Sequence, residues 1–164
     1  MIVPSTEIVH DRANLEVFRG CIRGCRFCQA GFSCRPVRKK SPEVLYRQAV
    51  EVLENSGNNE ITLSSLSTSD YRGLKELTDE LIPYCAENRV SLSVPSLRAD
   101  NFSRELMEKL QTVRKSGLTF APEAGSQRLR DVINKGLTEE IILEGAGQAF
   151  EGGWQKVKLY FMLG

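Results

Sequence analysis

The sequence has no excess of charge of either sign. Its 22 Lys and Arg face 21 Asp and Glu, for a formal net charge of +1, so no global field draws it to nucleic acid or to a membrane surface. It has no run approaching the roughly 18–20 apolar residues that cross a bilayer. Its first residues, Met1-Ile2-Val3-Pro4-Ser5-Thr6-Glu7, lack the basic and apolar regions of a secretory signal. No low-complexity stretch, linker or close repeat interrupts the 164 residues, which suffice for one domain with its own core. Histidine is nearly absent: His10 stands alone and reads as a surface or capping residue. The cysteines also lack the even, dispersed arrangement of a disulfide framework. There are five, Cys21, Cys25, Cys28, Cys34 and Cys85, and three of them crowd into eight residues. Clustered thiols without an export signal point to a reducing, cytoplasmic setting and to metal binding or catalysis. Cys85 falls late in a helical pattern and reads as a small buried apolar residue.

What is present is an alternation of strand and helix patterns. Residues 15–18 read as a strand leading into the cysteine loop. Ser41-Pro42 opens a helix running to residue 56, because Ser caps well and Pro is tolerated in the first turn; Gly57 ends it. Residues 60–66 form a second strand, 71–87 a helix, 90–94 a third strand and 104–110 a short helix. Residues 117–121 form a fourth strand, 126–133 and 138–150 two helices, and 157–163 a fifth strand. Such alternation implies a parallel sheet joined by helical crossovers. The expected class is α/β, with about five parallel strands in an open doubly wound sheet or a partial (β/α) barrel. Chemistry then belongs at the carboxyl ends of the strands. The distinctive segments fall there: the cysteine loop, Ser67-Thr68-Ser69-Asp70, Ser96-Leu97-Arg98 and the stretch from Glu123 to Ser126. The last strand has no covering helix and would leave an exposed edge. The chain is therefore expected to be a fragment: one domain over 1–164, truncated at its C-terminal end.

The loop reads Arg19-Gly20-Cys21-Ile22-Arg23-Gly24-Cys25-Arg26-Phe27-Cys28-Gln29-Ala30-Gly31, a Cys-x3-Cys-x2-Cys spacing. Three thiolates on one short loop can each bind one iron of a 4Fe–4S cubane and leave the fourth iron open. Glycines let the backbone wrap closely around so bulky a group. Arg19, Arg23 and Arg26 are expected to place positive charge beside the anionic cluster and to favour thiolates. The alternative is a structural zinc site with Cys34 as fourth ligand, or a closed iron–sulfur module for electron transfer. Zinc prefers four closed ligands, often in paired Cys-x2-Cys spacing, and only one such pair occurs here. Further along, Arg35, Arg38, Lys39 and Lys40 form a basic stretch without matching stacking aromatics. It reads as a solvated loop, and there is no clear nucleic-acid signal.

The Cys-x3-Cys-x2-Cys spacing after a first strand, with Phe27 just before the last cysteine, resembles the signature of the radical S-adenosylmethionine (SAM) superfamily. The longer string with Arg35-Pro36-Val37-Arg38 is similar to uncharacterised members that often carry a cobalamin-binding domain upstream. The likeness continues through Pro95-Ser96-Leu97-Arg98, Phe120-Ala121-Pro122-Glu123-Ala124-Gly125-Ser126 and the last residues. The resemblance implies a partial (β/α) barrel of the radical SAM type that cleaves SAM reductively to a 5′-deoxyadenosyl radical. It implies Cys21, Cys25 and Cys28 as iron ligands and Phe27 as the aromatic beside the adenine. Related enzymes often have Gly-Gly-Glu after the second strand to meet the SAM amino group. Here Ser67 and Ser69 stand in that segment and offer hydroxyls instead. Glu123 corresponds to a ribose contact, and Arg98 and Lys135 are candidates for the SAM carboxylate. The implied partners are SAM, an electron donor such as flavodoxin or ferredoxin, and cobalamin held by a domain outside these residues. Methyl transfer, methylthio transfer and rearrangement are all open, and the substrate is not read from these residues.

Overall fold

The computed structural model describes residues 4–95, 98, 100 and 118–163. Strands β1 (Ala13–Glu16), β4 (Glu60–Ser64) and β5 (Ser91–Ser93) form a parallel sheet in the order β1-β4-β5. Ala13 pairs with Ile61 and Glu16 with Ser64, while Glu60 pairs with Ser91 and Thr62 with Ser93. Strand β4 is central, and Ile61, Thr62 and Leu63 are all buried. That is the pattern of a parallel strand covered on both faces. Strands β6 (Leu118–Glu123) and β7 (Val157–Phe161) form a second parallel pair. The five expected parallel strands are thus present, grouped as three and two among the described residues. This is the arrangement of a partial (β/α) barrel. The expected helix over 104–110 lies outside the described residues, as do Ser96 and Leu97.

The first expected strand is divided in two. Val17, fully buried, donates its N–H to the Ser64 carbonyl (3.0 Å) and accepts from the Lys40 N–H (3.3 Å). It is the hinge at which the chain leaves β4 and joins a different partner. Beyond it, β2 (Phe18–Arg19) pairs antiparallel with β3 (Arg38–Lys39). A continuous apolar pattern does not disclose such a change of partner, because each residue still alternates.

Helix α2 (Pro42–Ser56) begins where Ser41 accepts from the Val44 N–H and ends where Gly57 turns left-handed at φ 70°. Helix α3 (Leu74–Glu87) starts later than the expected residue 71, because Thr68–Asp70 first makes a 3₁₀ turn. These helices bury Leu45, Ala49 and Leu53 against Leu74, Leu77 and Leu81. Cys85 is also fully buried, and burial pushes its thiol up to about 11. The short helix α1 (Gln29–Ser33) follows the cysteine loop. After β6 come α4 (Gln127–Val132), capped by Ser126, and α5 (Glu139–Glu151), capped by Thr138. Among the described residues no helix is long and apolar enough to cross a membrane.

Leu77 is wholly buried in this layer, whereas Leu143 on α5 is 64% exposed. Leu77→Ala is expected to cost about 2–5 kcal/mol in urea denaturation, and Leu143→Ala less than about 0.5 kcal/mol.

Candidate functional site

The cysteine loop starts at Gly20 (φ 93°), which lies so close to the 34–37 segment that an added Cβ would stand 2.7 Å from the Cys34 carbonyl oxygen. Only glycine fits both that backbone angle and that approach. The loop is half-open: Cys25 is 9% exposed, and Cys21 and Cys28 are partly exposed. Backbone N–H groups already point at two sulfurs. Arg23 donates to Cys21 Sγ (3.5 Å), and Gly31 donates to Cys28 Sγ (3.4 Å) at the start of α1. Such donors would tune the electronics of a bound cluster. Cys34 closes α1 and lies beside Ser33. Among the described residues no three Cys, His, Asp or Glu side chains converge on one ion-sized point. A cubane asks for a different arrangement, one thiolate per iron at separate corners, and three cysteines on one glycine-rich loop suit it.

The loop is held at the carboxyl ends of the strands by its own side chains. Arg23 donates through Nε to Asp70 Oδ2 (2.7 Å) and through Nη2 to Asp70 Oδ1, a two-pronged pair. Its Nη1 reaches Asp100 Oδ2 at 3.0 Å. Ser67, 2% exposed, donates to the same Asp70 carboxylate at 2.7 Å. Burial raises the Asp70 carboxyl, but hydrogen bonds from Arg23 and Ser67 outweigh it and hold it below its ordinary range. The same hydrogen bond raises the Arg23 guanidinium against burial. On the other flank the Arg26 N–H donates to the Ile133 carbonyl (2.9 Å), its Nη1 meets the Val132 carbonyl, and Asn134 Nδ2 donates to the Gly24 carbonyl (2.9 Å). The three arginines expected to face a cluster are thus otherwise engaged: Arg19 pairs with Glu16 (2.8 Å), Arg23 with two carboxylates, and Arg26 with carbonyls. Arg23 and Arg26 fasten the loop.

The other sequence-derived candidates gather around this frame. Lys135, 9% exposed, places Nζ 3.4 Å from Glu123 Oε1 and 5.8 Å from the centre of the Phe27 ring. Phe27, Glu123 and Lys135 therefore form one cluster, although they come from the loop, the end of β6 and the turn after α4. Glu123 has φ 68°, an unusual backbone state for a non-glycine residue at a strand end. Arg98 donates its N–H to Ser69 Oγ (3.3 Å), its Nε to Asp100 Oδ1 (2.9 Å) and its Nη2 to the Lys135 carbonyl (2.8 Å). It braces the third strand end against the other two rather than reaching outward.

Sequence reasoning missed the carboxylates that receive these arginines, Asp70 and Asp100, as ties of the loop. It also missed Asn134 and Arg130. Arg130, 3% exposed, donates to the carbonyls of Ala124, Gly125 and Leu137 and fixes the segment after Glu123. The available signals were an Asn before Lys135-Gly136, typical of a left-handed turn, and an arginine spaced to lie over its own helix start.

Residues 15–164 match the family model of the Radical SAM superfamily. The chain belongs to that superfamily. Over 150 residues this radical SAM chain is 39% identical to an uncharacterized protein of Methanocaldococcus jannaschii, covering 92% of the chain and 32% of that protein. It is 38% identical over 146 residues to the threonylcarbamoyladenosine tRNA methylthiotransferase MtaB of Treponema pallidum, covering 84% and 29% respectively. It is 26% identical over 146 residues to a putative methylthiotransferase of Methanocaldococcus jannaschii, with 85% and 32% covered. The chain spans about a third of the length of these curated relatives. Among solved structures, the cobalamin-dependent SAM radical enzyme OxsB superposes with a TM-score of 0.61 at 17% identity, covering 90% of this chain and 23% of that one. The [FeFe]-hydrogenase maturase HydG does so at 0.52 and 18%, covering 92% and 35%. At these identities the likeness is one of fold.

The Asp70 pair carries a pH prediction. The folded carboxyl lies below its unfolded value, so its contribution is complete above about pH 4 and fades as pH falls through the folded value. In the cluster-free chain, Asp70→Asn should be less stable than the parent at pH 6, and the gap should narrow as the pH falls below about 4. Urea melts across that range measure it, and a constant gap would show that the charge of Asp70 contributes nothing.

Proposed function

We propose that the chain is the cofactor-binding core of a radical SAM enzyme, in which Cys21, Cys25 and Cys28 hold a 4Fe–4S cluster and the neighbouring strand ends hold SAM. The observation that carries this reading is the fastening of one three-cysteine loop, through Arg23, to a polar shell drawn from three successive strand ends. When bound, the cluster supplies the electron that splits the sulfonium of SAM to give a 5′-deoxyadenosyl radical. The chain's part is to bind, orient and shield. Cys21, Cys25 and Cys28 would hold three irons of the cluster and leave the fourth open to SAM. Phe27 offers a flat face for the adenine. Glu123 accepts from the ribose hydroxyls, Lys135 takes the SAM carboxylate, and Ser67 and Ser69 accept from its amino group. Arg98 keeps Lys135 and Ser69 in register. The Lys135–Glu123 pair then acts as a placeholder: each charge exchanges its partner for a group of SAM, so neither is stranded in a partly buried site.

The reaction that follows is methylthio or methyl transfer in this reading, supported by the two methylthiotransferases among the relatives. Cobalamin, carried on another domain, belongs to the methyl-transfer version. A cytoplasmic location suits the free thiols, and an electron carrier of the flavodoxin or ferredoxin type supplies the electron.

Anaerobic reconstitution with iron and sulfide, followed by electron paramagnetic resonance of the reduced protein, tests this. The cubane signal should change on adding SAM. Cys25→Ala should hold no intact cubane. Lys135→Met should weaken SAM binding about tenfold or more, the value of one charge-assisted hydrogen bond. A colourless protein with one tightly held zinc would sink the reading.

A further inference from the structure

Between Glu16 and Glu43 the sequence holds arginines and lysines but no Asp or Glu. The fold accounts for these cations unequally. Arg19 and Arg23 are paired with carboxylates from outside that stretch. Arg26 is held by backbone carbonyls, and Lys40 donates to Gln48 at 3.0 Å. Arg38 and Lys39 on β3 are exposed. Arg35 belongs to neither group. No carboxylate pairs with it among the described residues, yet its guanidinium is held in one place.

Three contacts hold it. Arg35 Nε donates to the Gly31 carbonyl (3.1 Å). The guanidinium lies 4.6 Å over the Phe32 ring, whose negative face attracts a cation and covers it on one side. A Cβ built on Gly24 would stand 3.6 Å from Arg35 Nη2, so the guanidinium also lies against the residue before Cys25. The other group that this Cβ would meet, Asn134 Nδ2 at 3.7 Å, is a donor too and leaves the charge unmatched. Gly31 in turn donates its N–H to Cys28 Sγ (3.4 Å). One cation therefore touches the backbone next to Cys25 and the residue that bonds the Cys28 sulfur. Arg35 is exposed as a residue, so water and salt screen part of its field, but over so short a path the field is not lost. The basic stretch read alone suggests a solvated side chain; the contacts give it a fixed position beside two of the three cysteines.

We propose that Arg35 is a positioning residue that sets positive charge at the Cys25 and Cys28 edge of the cluster and thereby favours the cluster's one-electron-reduced form. It fills the role that the sequence suggested for Arg19, Arg23 and Arg26, whose charges are engaged elsewhere. The proposal rests on the cluster assignment above. Reduction adds one electron, and so one negative charge, with no bond made or broken. A fixed cation stabilises the more negative of the two states, and nearby charge and hydrogen bonding are among the factors that set such potentials. Arginine suits the position. It keeps its proton at any working pH, and its planar group can lie on Phe32 while Nε holds Gly31.

The test is an anaerobic redox titration of the reconstituted chain with dithionite and mediator dyes, read by the electron paramagnetic resonance of the reduced cluster at low salt. The parent is compared with Arg35→Gln and Arg35→Met, which remove the charge, and with Arg35→Lys, which keeps the charge but loses the planar fork. Arg47→Gln, on the exposed side of α2, makes the same change in net charge elsewhere. At one fixed potential the neutral Arg35 variants should show a reduced-to-oxidised ratio about tenfold below the parent's, a midpoint about 59 mV more negative for a one-electron couple. Arg35→Lys and Arg47→Gln should stay near the parent, and the gap should narrow as salt rises. If neither neutral variant retains iron while Arg35→Lys does, the charge is required to hold the cluster at all, which also supports the proposal. Equal losses in Arg35→Lys and the neutral variants would assign Arg35 to shape alone and overturn it. So would neutral variants at the parent's potential, or an equal shift in Arg47→Gln. A parent that assembles no cubane removes the functional reading and this inference together, whereas a parent cubane indifferent to Arg35 removes this inference alone.

Discussion

The two-pronged contact between Arg23 and Asp70 is the constraint on which the site depends. The cysteine loop is rich in glycine and poor in apolar residues, so it cannot hold itself in place by burial. It must be tied. Arg23 lies between the first two cysteines and reaches the end of β4 through Asp70 and the third strand end through Asp100. Arginine suits this task because its rigid fork satisfies both carboxylate oxygens at once and loses little freedom per bond. Ser67 completes the shell of Asp70, so the carboxylate sits in low-polarity surroundings with its charge accounted for. Position is then transmitted onward: Asp100 to Arg98, Arg98 to the Lys135 carbonyl, and Lys135 to Glu123 and Phe27. Lys135, Glu123 and Phe27 are the far end of a chain of contacts that begins between Cys21 and Cys25.

Much of this architecture was legible in the residue order. Caps at Ser41, Ser126 and Thr138 and the stop at Gly57 appear where side-chain chemistry requires them, because capping is a local property. The alternation of elements located the strand ends, and with them the neighbourhood of every candidate. What the sequence did not disclose is long-range. Val17 changes partner between two ladders without any break in pattern. The carboxylates that receive Arg23 lie at other strand ends, and a charged residue announces its sign but not its partner. Reading the loop arginines as a field around the cluster was the natural local inference. The structure shows instead that two of them are neutralised by carboxylates and a third is bound to carbonyls.

The segment from Gly20 to Lys40 therefore serves two faces with different chemistry. Inward, its charges are paired and its backbone donors point at sulfur. Outward, Arg38 and Lys39 are left in water. The close approach of Gly20 to the 34–37 segment joins the faces, so a change on one is felt on the other through backbone rather than through side chains.

Strand β7 has a practical consequence. Its central sheet counterparts bury residues on both faces, but Leu159, Tyr160 and Phe161 are 41–55% exposed, followed by Met162 and Leu163 at 44% and 98%. Because successive residues point to opposite sides, both sides of the strand are exposed from Leu159 to Phe161, whereas Val157 still packs against the core. Short, β-prone and nearly uncharged, this stretch is a template for lateral pairing between molecules. Solutions of the isolated chain will be limited by colloidal behaviour before they are limited by unfolding. Yield should then depend on protein concentration and on whatever shields the last seven residues, rather than on melting temperature.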